Sequence, residues 1–124
     1  MINKFSPEIQ KETEGIIKKI QLWKDLFSIK LEFYYDGWAI FLKEKNIYPR
    51  CIVIFKSYES NQFSIKSFDI YLQNYKKEEY HEIYSVENIK FHSDLIMELK
   101  DVIYGKDLGN QVLQIYKKHF QNKD

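Results

Sequence analysis

The stretch Ile29–Lys43 constrains this chain more than any other, because it reads as a β-hairpin with one wholly apolar face. Two runs rich in β-branched and aromatic side chains flank Asp36-Gly37, a dipeptide that readily takes the positive φ angles of a two-residue type I′ turn. With those two residues as the turn, Tyr35 faces Trp38, Phe33 faces Ile40 and Leu31 faces Leu42 on one side of the ribbon. Lys30, Glu32, Tyr34, Ala39, Phe41 and Lys43 take the other side. A two-stranded ribbon with such a face is not stable alone in water, so the rest of the chain has to extend the sheet and cover it.

Ser6-Pro7-Glu8 starts a helix, with a hydroxyl for the N-cap, proline at the first helical position and an acid in the first turn. Ile9, Thr13, Ile16, Ile17, Ile20, Trp23 and Phe27 recur at spacings of three and four, which predicts one amphipathic helix ending near Phe27. Gly15 within it is read as a point of close helix packing. After a polar connection from Glu44 to Arg50, the run Cys51-Ile52-Val53-Ile54-Phe55 is apolar at every position and fits an interior strand. Ser57–Gln62 reads as a turn. Phe63 and Ile65 then alternate in opposite phase to Phe68, Ile70 and Leu72, which predicts a β-bulge near Lys66. Asn74–Glu87 fits either a helical turn or an edge strand, and the strand is preferred. A helix starts at Ser93-Asp94, with Ser93 as its cap and Leu95, Leu99, Val102 and Ile103 on one side. Gly105 and Gly109 break it, and a last helix carries Leu108, Val112, Ile115 and His119. The expected fold is one α+β domain over residues 1–124: an N-terminal helix, four to five antiparallel strands, then two C-terminal helices.

Charge and composition narrow the partners. The 19 basic and 18 acidic residues leave a net charge of +1, too little to draw the chain to nucleic acid or membrane by its global field. No apolar run approaches the ~20 residues of a membrane helix. With a lone cysteine and residues that turn polar and charged by Phe5, a cytoplasmic location is expected. Arg50 is the single arginine among many lysines, and abundant Ile, Asn and Tyr beside a single alanine match an AT-rich bacterial composition.

Motifs for catalysis are missing. Cys51 opens an apolar strand and reads as a small buried hydrophobe. His81, His92 and His119 lie on separate elements without metal-ligand spacing. His92-Ser93-Asp94 has the residue types of a catalytic triad, but neighbours in sequence do not face one another. Glu98-Leu99-Lys100 sits on a helix rather than on a nuclease-type hairpin. With four glycines, a phosphate-cradling loop is hard to build. No catalytic residue, metal or cofactor is therefore expected, and the chain is read as a binding protein.

Two surfaces compete for that role. Lys43, Lys45 and Arg50 gather near Phe41 and Tyr48, which could stack on single-stranded bases, so a small nucleic-acid-binding module is the alternative reading. The preferred surface comprises Tyr71, Tyr75, Glu78, Glu79, Tyr80, Glu82 and Tyr84, where tyrosines alternate with acids and suit a basic protein partner. An aromatic-rich α+β chain of this composition, with the hairpin Phe33-Tyr34-Tyr35-Asp36-Gly37-Trp38, resembles the small bacterial immunity proteins of contact-dependent growth inhibition systems. The resemblance implies a non-enzymatic function, in which the chain binds a cognate toxin domain, often a basic nuclease, and blocks it in the cytoplasm.

Overall fold

Ser6 caps the first helix as its sequence requires. The hydroxyl accepts the Ile9 N–H at 3.4 Å, Pro7 takes the first helical position and Glu8 lies in the first turn. In this computed structural model, which describes residues 6–45, 50–69 and 81–106, helix α1 spans Pro7–Ile20 and tightens into a 3-10 turn over Gln21–Trp23. Ile9, Thr13, Ile16, Ile20 and Trp23 are buried along it. The helix does not reach Phe27. The Leu26 N–H donates to the Trp23 carbonyl at 3.0 Å, and Phe27 opens the first strand. Phe27 continues the helical spacing only because one buried residue fits either period.

Among the described residues Gly15 mediates no close crossing, since a Cβ placed there would meet nothing within 4 Å. Gly15→Ala is therefore expected to stabilise the protein by about 1 kcal/mol through helix propensity, read as a higher urea midpoint. A lowered midpoint would contradict the open surroundings of this position.

Five strands follow: β1 (Phe27–Phe33), β2 (Gly37–Glu44), β3 (Arg50–Ser57), β4 (Phe63–Asp69) and β5 (His81–Ile89). They pair in chain order, each antiparallel to the next, so β3 is central and β1 and β5 are the edges. Helix α2 (His92–Asp101) runs into a π-helical turn, Val102–Lys106, where Gly105 takes φ 113°. The α+β class is as the sequence predicts, and of the edge strand expected within Asn74–Glu87 the part from His81 onward is present, residues 74–80 lying outside the described ones. A single helix follows the sheet among the described residues, and the second C-terminal helix, read from Leu108 onward, lies outside them. The cap of α2 is Phe91 rather than Ser93, which sits exposed in the first turn.

The hairpin forms in a different register. Phe33 pairs with Trp38, Leu31 with Ile40 and Ile29 with Leu42, and the Tyr34 N–H donates to the Gly37 carbonyl at 2.7 Å. Tyr35 and Asp36 thus occupy the turn, and neither they nor Gly37 have positive φ. A shift of two residues preserves the faces, so Leu31, Phe33, Trp38, Ile40 and Leu42 keep their side while Tyr35 leaves the core and is 99% exposed. Gly37 is needed for space rather than for φ: a Cβ there would stand 2.3 Å from the Lys56 carbonyl oxygen on β3.

The inner face joins Phe27, Trp38, Ile40, Leu42, Ile52, Ile54, Phe63, Ile65 and Ile89 to α1, to Leu95 and Leu99 of α2 and to Val102 and Ile103 of the turn after it in one buried cluster. Both helices lie on this face. The predicted bulge near Lys66 is absent, because β4 pairs with β3 in unbroken register from Phe55↔Ser64 to Arg50↔Asp69. Buried Ser67 keeps the inner parity and Phe68 turns to the outer face. The irregularities fall on β5, between the partners of Phe63 and Ile65 and of Ser67 and Phe68, with Asn88 at φ 64°. An edge strand can absorb an extra residue without disturbing a second neighbour.

Candidate functional site

Two cations at the ends of β3 hold the helices onto the sheet. Their parity places both on the inner face. At one end, buried Arg50 donates from Nη1 to the Val102 carbonyl and from Nη2 to the Ile103 carbonyl, each at 2.9 Å, and its Nε stands 3.3 Å from Glu44 Oε2. These carbonyls belong to the closing turn of α2, where backbone acceptors lack helical partners and the dipole favours a positive charge. At the other end, Lys56 Nζ lies 2.7 Å from Glu12 Oε1 of α1, while Glu12 Oε2 meets His92 Nε2, at the start of α2, at 3.3 Å. Lys56 also stands over the Phe63 ring, against which His92 packs edge-on.

Beside the Lys56 end opens a groove of about 790 Å³, floored by Trp38 and Ile9 and walled by Glu8, Glu12 and the 57–62 turn. In that turn the Ser57 and Ser60 hydroxyls accept the backbone N–H groups of Glu59 and Gln62. The Tyr58 hydroxyl is buried with no hydrogen-bond partner among the described residues; burial, aided by the nearby Asp36 carboxylate, pushes its pKa above the usual phenol value. The groove's amine is already matched by a carboxylate at ion-pair distance, an arrangement that positions α1 against β3 rather than presenting a free nucleophile.

Two residues behind the nucleic-acid alternative, Arg50 and Lys43, lie on opposite faces of the sheet. Arg50 faces inward, Lys43 is exposed on the outer sheet face, and Lys45 donates to the Lys24 carbonyl at 2.9 Å. Tyr48 lies outside the described residues. Cys51 is buried in the outer face, and desolvation raises its thiol pKa against the smaller pull of Lys43, so it remains a protonated packing group. Glu98 accepts from the Tyr84 hydroxyl at 2.5 Å, and Lys100 is exposed on the same helix. Among the described residues no three His, Cys, Asp or Glu side chains converge on a metal position, and no helix is long and apolar enough to cross a membrane.

Comparison of the chain with family models, curated proteins and solved structures gives no match.

Of the preferred partner surface, Glu82 and Tyr84 lie in the described structure, while Tyr71, Tyr75, Glu78, Glu79 and Tyr80 lie outside it. Glu82 is exposed on the outer side of β5, with its carboxylate 3.4 Å from Lys66 Nζ. Tyr84, opposite Ser67 on the inner face, is half-buried against the core with its hydroxyl on Glu98. The two side chains therefore point to opposite sides of the sheet. What the sequence reading missed is the exposed side of α2 together with the residues that flank it. Phe91, Met97 and Tyr104 are 65%, 65% and 68% exposed, and Asp94 and Asp101 stand exposed between them. Their signal is apolar residues out of phase with the inward row Leu95, Leu99 and Val102.

Proposed function

We propose that this chain is a non-enzymatic protein-binding domain, an immunity protein that binds and neutralises a cognate toxin domain in the cytoplasm. The observation that carries the reading is the exposed apolar group on and beside α2, where Met97 on the helix, Phe91 at its start and Tyr104 in the turn after it stand in solvent. Aromatic residues and Met are enriched in interface cores, and a few such anchors supply most of the energy of a complex. Asp94 and Asp101 beside them offer carboxylates to a basic partner, while Glu82 lies on the opposite side of the sheet. Tyr84 contributes indirectly, by fixing Glu98 on α2.

The test is co-expression with the product of the neighbouring gene, followed by pull-down and a growth assay. The wild-type chain is expected to capture that product and relieve its toxicity. Met97→Asp with Tyr104→Asp is expected to weaken binding by about 30-fold or more, as for loss of interface anchors, with an unchanged melting temperature because both side chains are exposed. Absence of capture together with unrelieved toxicity would overturn the function. Full affinity in the double variant would move the interface off α2.

A further inference from the structure

The unpaired edge of β1 carries a self-complementary pattern. Backbone hydrogen bonds from the Tyr34 N–H to Gly37 and from the Lys45 N–H to the Leu26 carbonyl mark the even-numbered positions of this strand as those directed at β2. In an antiparallel ladder the directions alternate, so Phe27, Ile29, Leu31 and Phe33 aim their N–H and C=O groups at the open edge. Among the described residues no strand lies beyond β1, and the β1–β2 register runs without a bulge from Phe27↔Glu44 to Phe33↔Trp38. The other edge, β5, is irregular at two places. Ile29, Leu31 and Phe33 are only half-buried although they belong to the inner face, and Leu26, just before the strand, is 42% exposed.

We propose that a second copy of this chain pairs with β1, antiparallel about a two-fold axis at Leu31, and joins the two sheets into one. The charges select that register. With Leu31 opposite Leu31, Lys30 of each copy lies opposite Glu32 of the other on the outer face, and Ile29 lies opposite Phe33 on the inner face. Moving the axis one residue either way sets Lys30 against Lys30 or Glu32 against Glu32, which places like charges directly opposite. The Leu31–Leu31 and Ile29–Phe33 pairs fall on positions whose backbone groups point to the open edge, so each exchanges two N–H···O=C bonds. The outer-face groups are in place: Lys30 Nζ is 2.8 Å from Glu32 Oε1, and the Tyr34 hydroxyl donates to Glu32 Oε2 at 2.9 Å. Each Glu32 would then lie between its own Lys30 and that of the second copy. The contact is short, so the dimer belongs to the weak class of interfaces.

Sedimentation of the full chain tests this. The mass is expected to rise from 15.1 kDa toward twice that value with increasing concentration. Lys30→Glu and Glu32→Lys, alone, are each expected to raise the dissociation constant at least about tenfold, since two symmetry-related pairs become repulsive. An equimolar mixture of the two variants is expected to form a mixed dimer, in which the paired acids of one chain's β1 face the paired lysines of the other's. Circular dichroism and melting verify that each variant is folded. A monomer throughout, up to about 1 mM, the range of very weak contacts, would overturn the proposal, as would a dimer indifferent to either reversal. Folded variants that fail to associate on mixing would overturn the register and with it the edge pairing.

Discussion

Arg50→Ala is expected to lower the free energy of unfolding by about 3–5 kcal/mol, the loss typical of removing one partner from a buried charged network. Arg50 is 4% exposed, and its guanidinium serves three elements at once: the closing turn of α2 through two carbonyls, Glu44 at the end of β2, and the ring of Phe27, whose centroid lies 5.8 Å from Cζ. Truncation leaves the Val102 and Ile103 carbonyls without these donors and Glu44, whose side chain is 23% exposed, without this cation. Arg50→Lys keeps the charge but replaces a planar fork by a single ammonium, which cannot meet two carbonyls and a carboxylate in the same geometry. It should recover only part of the loss. Urea unfolding measures both variants, and faster amide exchange from Val102 to Gly105 should accompany the alanine change. A loss below about 1 kcal/mol, the level of an exposed ion pair, would mean that the network adds little to the hold on α2.

That prediction rests on a residue whose role the sequence misdirects. The only arginine, near two lysines and a tyrosine, invites a reading as part of a nucleic-acid-binding cluster, because local sequence shows neighbours along the chain rather than the face of a strand. Parity decides it. Arg50 shares the inner face with Ile52 and Ile54, whereas Lys43 shares the outer face with Cys51. An inward parity could be inferred from the strand pattern, but its partners on α2, 52 and 53 residues away, could not. The same holds for Glu12, Lys56 and His92, which meet from three separate elements.

Strand existence is easier to read than register. Alternation and turn residues locate the hairpin, β3, β4 and the edge strand β5, since burial of one face imposes a period of two. Register depends on what the neighbouring strand can accept. Asp36-Gly37 satisfies a two-residue turn locally, yet Gly37 is spent on the approach of the Lys56 carbonyl, and the turn moves to Tyr35-Asp36. Likewise, the phase change in β4 looks like a bulge only while Phe68 is assigned to the core, whereas the structure gives the inner position to Ser67 and leaves Phe68 half-buried outside. The exposed group on and beside α2 is hidden in the sequence for a related reason: Met97 and Tyr104 count as core material until the inward row is known.

Trp38→Ala and Phe33→Ala separate the interior of the hairpin from its open edge, although the two residues are direct cross-strand partners. Trp38 is 1% exposed, packs against the Phe63 ring at a centroid distance of 6.1 Å and floors the groove, so its truncation leaves a large cavity under α1. The expected loss is about 3–5 kcal/mol. Phe33 shares that face but lies on the edge strand, half-buried, so removing its ring forfeits only part of the burial energy, about 1–2 kcal/mol. Both are best measured by urea unfolding in the Lys30→Glu background, where self-pairing of β1 does not add to the stability. In the wild-type background at high concentration, Phe33→Ala should cost more than in that variant, because the ring would also face Ile29 of the second copy. Equal losses at the two positions in the monomeric background would place Phe33 in the closed interior. β1 would then have no open apolar rim, and a sheet shared between two copies would lose its physical basis.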